Sequence, residues 1–120
     1  IYQGMIDDAK WTEGRAMAGQ IAAMLDVYKA KNSGQLDGIG SGYYTLTDRL
    51  ENGNTLAAEI GLNLQEMQMT LTSFNVSDFE IYIEADGDGD DYYRISVFSS
   101  VPDGPSGFYE LDSDGNSYGG

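Results

Sequence analysis

The chain has 120 residues, with 20 acidic side chains against 6 basic ones, a net charge of −14, and neither cysteine nor histidine. That length suits one domain with a modest core, and the charge excludes nucleic acid as a partner and disfavours an anionic membrane surface, since Lys10, Arg15, Lys29, Lys31, Arg49 and Arg94 form no basic patch. Without cysteine or histidine there is no disulfide, no thiolate or imidazole metal site and no histidine general base.

Residues 1–31 contain no proline and read as one long helix. At the usual rise it would run roughly 45 Å, longer than a domain of this size needs to be wide, so part of it should project or lie along something else. Met17, Ile21, Met24, Leu25 and Tyr28 recur at spacings of three and four and draw one apolar stripe, widened by Ala18, Ala22 and Ala23. Tyr2, Met5, Ile6 and Ala9 draw a second, shorter stripe. Gly4, Gly14 and Gly19 each cost the helix about 1 kcal/mol against alanine, so packing and not propensity must hold it.

Residues 32–69 read as loop and short helices. Glycines at 34, 38, 40 and 42 end the long helix. Thr45 or Thr47 is expected to cap a short helix containing Asp48, Leu50 and Glu51, and Thr55 a second one over LAAEIGL. Leu46, Leu50, Leu56, Ala57 and Ile60 should face the core. Residues 63–69 suit a further helical turn.

From Thr70 the period becomes alternating. LTSF opens the change, and DFEIYIEA sets Phe79, Ile81 and Ile83 against Glu80, Tyr82 and Glu84. YYRISVFSS returns with Tyr93, Ile95 and Val97 on one face and Tyr92, Arg94, Ser96 and Phe98 on the other. DGDGDD between them is a turn, so 79–99 should be an antiparallel hairpin. GFYELDS supplies a third strand, and DSDGNSYGG a closing loop with room for a short edge strand. The sheet must bury its apolar face, and the Met17–Tyr28 stripe is the surface long enough to cover it. The expected fold is therefore α+β, a long N-terminal helix on a three- or four-stranded antiparallel sheet.

An Ile-Tyr-Gln start, Asp-Ala-Lys followed by Glu-Gly-Arg, an Ala/Gly-rich run closing on a tyrosine and a Lys-Asn-Ser-Gly loop together resemble the type IV pilins and type II secretion pseudopilins. The likeness covers residues 1–34. IGLNLQEM and FNVSDFEIYI are similar, more weakly, to the middle of major-subunit pseudopilins. The resemblance implies a pilin-like fold and a hydrophobic half-helix preceding Ile1 that anchors the subunit in the bacterial inner membrane. It implies that copies of the chain, with related pilin subunits, pack helix on helix into a filament in the periplasm or at the cell surface. No cofactor is required. The C-terminal disulfide of many pilins has no counterpart here, so something else must hold the C-terminal loop.

Four constellations are candidates for function. Asp86, Asp88 and Asp90 alternate in a glycine-rich loop that could offer oxygen ligands to Ca²⁺, although Asp91 stands where an EF-hand loop needs glycine and Val97 where it needs glutamate. Asp112, Asp114 and Asn116 alternate similarly, with Asp103 a possible neighbour; the family resemblance implies a calcium site near this end, and Ca²⁺ would also relieve self-repulsion in a chain of this charge. Glu80 and Glu84 are the carboxylates considered for acid–base work, but they sit on the solvated face of a strand and the enzyme reading is set aside. Finally, Tyr2, Met5, Ile6, Ala9 and Trp11 are the candidate assembly interface. The rival reading is a surface binding module of adhesin-like or carbohydrate-binding type, with Tyr43, Tyr44, Tyr92 and Tyr93 as stacking platforms.

Overall fold

The computed structural model describes residues 2–86 and 90–120, with side chains in the first helix from Asp7 onward. Helix α1 (Tyr2–Lys31) is followed by β1 (Gly42–Thr45), α2 (Leu56–Glu59), α3 (Leu64–Thr70), a 3-10 turn (Val76–Asp78) and four further strands: β2 (Phe79–Glu84), β3 (Tyr92–Val97), β4 (Tyr109–Asp112) and β5 (Ser117–Gly119). The strands form one antiparallel meander in chain order, β1-β2-β3-β4-β5, and α1 lies across it against β3 and β4.

The helix-on-sheet layout is the expected one, but the sheet has five strands instead of three or four. The unforeseen strand is β1, whose Tyr43 pairs with Tyr82 of β2, while β5, whose Tyr118 pairs with Glu110 of β4, is the short edge strand for which the closing loop left room. Both segments are short and glycine-flanked, so neither carries a full alternating period.

The molecule measures 47 × 28 × 19 Å, so α1 runs nearly its whole length. Helix α1 ends because the chain turns at Asn32–Gly34: the Asn32 side chain donates to the Tyr28 carbonyl at 2.7 Å, and the Gly34 N–H to the Lys29 carbonyl at 2.8 Å. Ser33 and Gly34 take left-handed conformations, at φ 58° and 81°.

Of the apolar stripe, Met17, Ile21 and Leu25 are buried and Met24 and Tyr28 pack at its edge. Ala18 and Ala22 are buried too, but Ala23 is exposed and lies off the stripe. The sheet presents Phe79, Ile81, Ile83, Tyr93, Ile95 and Val97 to this helix face, as the alternation requires. Leu46, Leu50, Leu56, Ala57 and Ile60 join the core.

Two local expectations are corrected. Residues 45–51 are not helical. Asp48 turns its carboxylate onto the Thr45 N–H at 2.8 Å, and Arg49 bridges to Thr55, so a side chain competing for the backbone makes a turn where a helix was expected. LTSF is not a strand either. Glu13 of α1 accepts from the N–H groups of Thr72 and Ser73 at 2.9 and 2.8 Å and from the Thr72 hydroxyl at 2.8 Å, which commits that backbone to the helix and not to a ladder. Thr55 caps α2 as expected, accepting from the Ala58 N–H at 3.1 Å, and Asn63, not foreseen as a cap, caps α3 by accepting from the Glu66 N–H at 3.1 Å.

Candidate assembly surface and outer sheet face

The two sides of α1 differ in composition. Its inward side is completed near the N-terminal end by Trp11, only 2% exposed, whose ring packs on Phe74 at 5.1 Å and whose Nε1–H donates to the Ser106 carbonyl at 2.9 Å. Trp11 is thus a core residue that clasps the 98–108 connection to the helix, and its side chain is not part of an outward interface. The same connection reaches further up: Lys10 donates to the Asp103 carbonyl, and Ser106 to the Asp7 carboxylate at 3.1 Å. From Asp7 onward the helix is therefore lined by its own chain and does not project. Gly14 belongs to this side, since a Cβ there would stand 2.7 Å from Phe74 Cζ.

The outward side carries small residues. Ala9, Thr12, Ala16, Gly19 and Ala23 are exposed at spacings of three and four, so they share a stripe, which the exposed Asp26 and Val27 end. Gly19 meets nothing within 4 Å of where a Cβ would stand. Of the anticipated assembly residues, Ala9 lies on this stripe; the side chains of Tyr2, Met5 and Ile6 lie outside the described residues.

The aspartate groups resolve into turns. Asp88 lies outside the described residues. Asp86 and Asp90 are exposed, and Asp90 pairs with Lys29 at 3.0 Å, a surface ion pair of little energetic weight. Asp91 is the consequential one. Its buried carboxylate accepts from the Leu36 N–H at 2.7 Å and the Asp86 N–H at 3.3 Å, and the Leu36 bond above all holds its pKa below the usual carboxylate value. Asp91 thereby ties the loop after α1 to the base of the β2–β3 hairpin. Asp112 is likewise occupied: its Oδ1 accepts from the Asp114 and Asn116 N–H groups at 3.0 Å each, an Asx-type turn closing the β4–β5 hairpin. Among the described residues no three acidic side chains converge where a metal ion could sit. Asp103 is brought to Lys10 by its carbonyl. The C-terminal segment is held by β4–β5 pairing and by Arg15 donating to the Gly120 carbonyl.

A second buried carboxylate escaped sequence reasoning. Asp78 accepts from the Asn75 and Ser100 N–H groups at 2.8 and 3.0 Å and from the Ser100 hydroxyl at 2.6 Å. Its signal was only the N-x-x-D spacing of a capping box.

The outer face of the sheet is uncovered and rich in tyrosine. Register places Tyr43, Tyr82, Arg94 and Asp112 in one row across four strands. Tyr43 and Tyr82 stack at 4.8 Å, Tyr82 and Tyr92 meet edge-on at 6.3 Å, and the Arg94 guanidinium sits 4.9 Å from the Tyr82 ring centre. Burial alone would lower the Arg94 pKa, but Glu110 and the phenols of Tyr43 and Tyr92 outweigh it, so Arg94 stays charged. Glu80 and Glu84 flank this row, exposed, with Glu84 accepting from the Tyr82 hydroxyl at 2.9 Å. Two of the four tyrosines anticipated as platforms are not available. Tyr93 is buried, donating to Asp26 at 2.8 Å, and the half-buried Tyr44 donates its hydroxyl to the Ile39 and Gly40 carbonyls at 3.0 and 2.9 Å.

No family model, curated protein or solved structure matches this chain. Among the described residues no helix is long and apolar enough to cross a membrane.

Proposed function

We propose that the chain is a pilin-like filament subunit, of a type IV pilus or a type II secretion pseudopilus, that assembles by packing α1 against α1 of neighbouring copies or of related subunits. Such a subunit would reside at the bacterial inner membrane, in the periplasm or in a cell-surface filament. The observation that carries the reading is Gly19. A glycine inside a helix costs about 1 kcal/mol against alanine, and here no neighbour among the described residues and no left-handed backbone requires it. Gly14, by contrast, is required by Phe74. A glycine without an internal reason, on an exposed stripe with Ala9, Thr12, Ala16 and Ala23, is what close approach of a second helix backbone would use, because small side chains let two helix axes come together. The resemblance of residues 1–34 to pilins supports the same reading. The charge of −14 opposes it at low ionic strength, so salt or Ca²⁺ should favour assembly by screening repulsion between copies.

The test is to express the gene product in its own cells with Gly19→Leu and to inspect the sheared surface and periplasmic fractions by electron microscopy. The variant should fold with a melting temperature no lower than that of the unaltered protein and form no filaments. Filaments as abundant as those of the unaltered protein would refute helix packing through this face, and a wild-type protein that stays monomeric would refute the filament role itself.

A further inference from the structure

We propose that the outer face of the sheet holds a binding site for a neutral saccharide, in a cavity of ≈ 240 Å³ formed by β3, β4 and β5. Its walls include Tyr92, Arg94, Glu110, Asp112, Asn116 and Tyr118. Two features select the ligand chemistry. The Asp112 carboxylate and the Asn116 amide are engaged with each other and with the Tyr92 hydroxyl, so the site sets the Arg94 guanidinium as donor beside the Glu110 carboxylate as acceptor, the complement of a ring bearing hydroxyls. It is also bounded by two phenol rings, and the face of a pyranose ring that carries C–H bonds packs on such surfaces while the hydroxyls point to the rim.

Charge removes the alternatives. An anionic ligand would meet Glu110 and Asp112 within the cavity and Glu80 and Glu84 on the same sheet face. A cationic ligand would meet the charged Arg94 guanidinium in the wall itself. The Arg94 Nε–H is buried without an acceptor among the described residues, and a ligand hydroxyl would satisfy it only with a side-chain shift that uncovers it. Tyr118 is 59% exposed on the edge strand β5, so its ring is accessible to a bound sugar. The proposal does not depend on whether the chain assembles, because every residue named belongs to one subunit.

The test is amide chemical-shift titration of the monomeric 120-residue chain with the methyl glycosides of glucose, galactose, mannose and N-acetylglucosamine and with their linear oligomers, up to millimolar concentrations. Tetramethylammonium and galacturonate serve as the cationic and anionic probes. The expected result is saturable shifts at Tyr92, Arg94, Asn116 and Tyr118 with at least one neutral sugar, weakened about tenfold or more by Tyr118→Ala and unaltered by Met69→Ala on α3. Binding of the charged probes alone, shifts confined to other parts of the chain, or no response to any sugar would each overturn the proposal. The residue-resolved shifts of the unaltered chain decide the matter even if Tyr118→Ala folds poorly.

Discussion

Gly14 and Gly19 lie five residues apart on one helix, and only one of them is explained by the fold. At Gly14 an added methyl would run into Phe74, which is itself wedged against Trp11 at 5.1 Å and Phe79 at 6.0 Å. At Gly19 an added methyl meets nothing. The inner face of α1 is thus shaped by the chain's own core, whereas nothing among the described residues requires a glycine on the outer face at position 19. This contrast separates residues whose loss unfolds the subunit from residues whose loss should affect only what the subunit joins.

The contrast can be broken at several strengths. Trp11→Ala should cost the most, about 3–5 kcal/mol by denaturant unfolding, because it empties a packed aromatic site and releases the 98–108 connection. If Trp11 instead worked at an outward interface, the monomer's stability would hardly change. Asp91→Ala should cost about 2–3 kcal/mol, since it leaves the Leu36 N–H without its charged acceptor in a buried setting. The same carboxylate predicts a pH dependence. Its pKa is lower in the folded chain than in the unfolded one, so its contribution is fully present above the unfolded-state value and is lost as pH falls through the folded-state value. Glu59, held below its usual value by hydrogen bonds first from Asn54 and then from Asn52, adds in the same direction. Acid titration followed by circular dichroism should show stability falling below the ordinary carboxylate range, less steeply in Asp91→Asn.

The two glycines give the finer pair of predictions. Gly14→Ala should lower stability by about 1–2 kcal/mol, overpacking against Phe74 outweighing the gain in helix propensity. Gly19→Ala should raise it by up to about 1 kcal/mol. Opposite signs from one substitution on one helix would sharpen the comparison; equal signs would dissolve it.

Sequence patterns carried the architecture where side-chain period is strong. The Met17–Tyr28 stripe, the Phe79–Glu84 and Tyr92–Val97 alternation and the cap at Thr55 all follow from local spacing. What was not legible depends on partners distant in sequence. Trp11 looked peripheral because nothing near it signals that Ser106 and Phe74 would enclose it. LTSF looked like a strand because Glu13, fifty-nine residues upstream of Thr72, gives no local sign of claiming its amides. Asp91 and Asp112 read as ligand-like because alternating aspartates suit both metal loops and turns, and only the backbone amides they accept distinguish the two. The outer tyrosine row was visible in part. Period two placed Tyr82, Tyr92 and Arg94 outward, but Tyr43 and Tyr118 joined them only once β1 and β5 were known to pair.

The most direct measurement of the central claim exploits the absence of cysteine. Ala16→Cys and Ala23→Cys, each introduced singly into the gene product in its own cells, place a small thiol on the outer helix face, with Tyr43→Cys on the far edge of the sheet as the comparison. After mild oxidation, the helix variants should yield disulfide-linked dimers while Tyr43→Cys stays monomeric. Dimers from Tyr43→Cys alone, or from none of the three, would contradict assembly through the small face of α1.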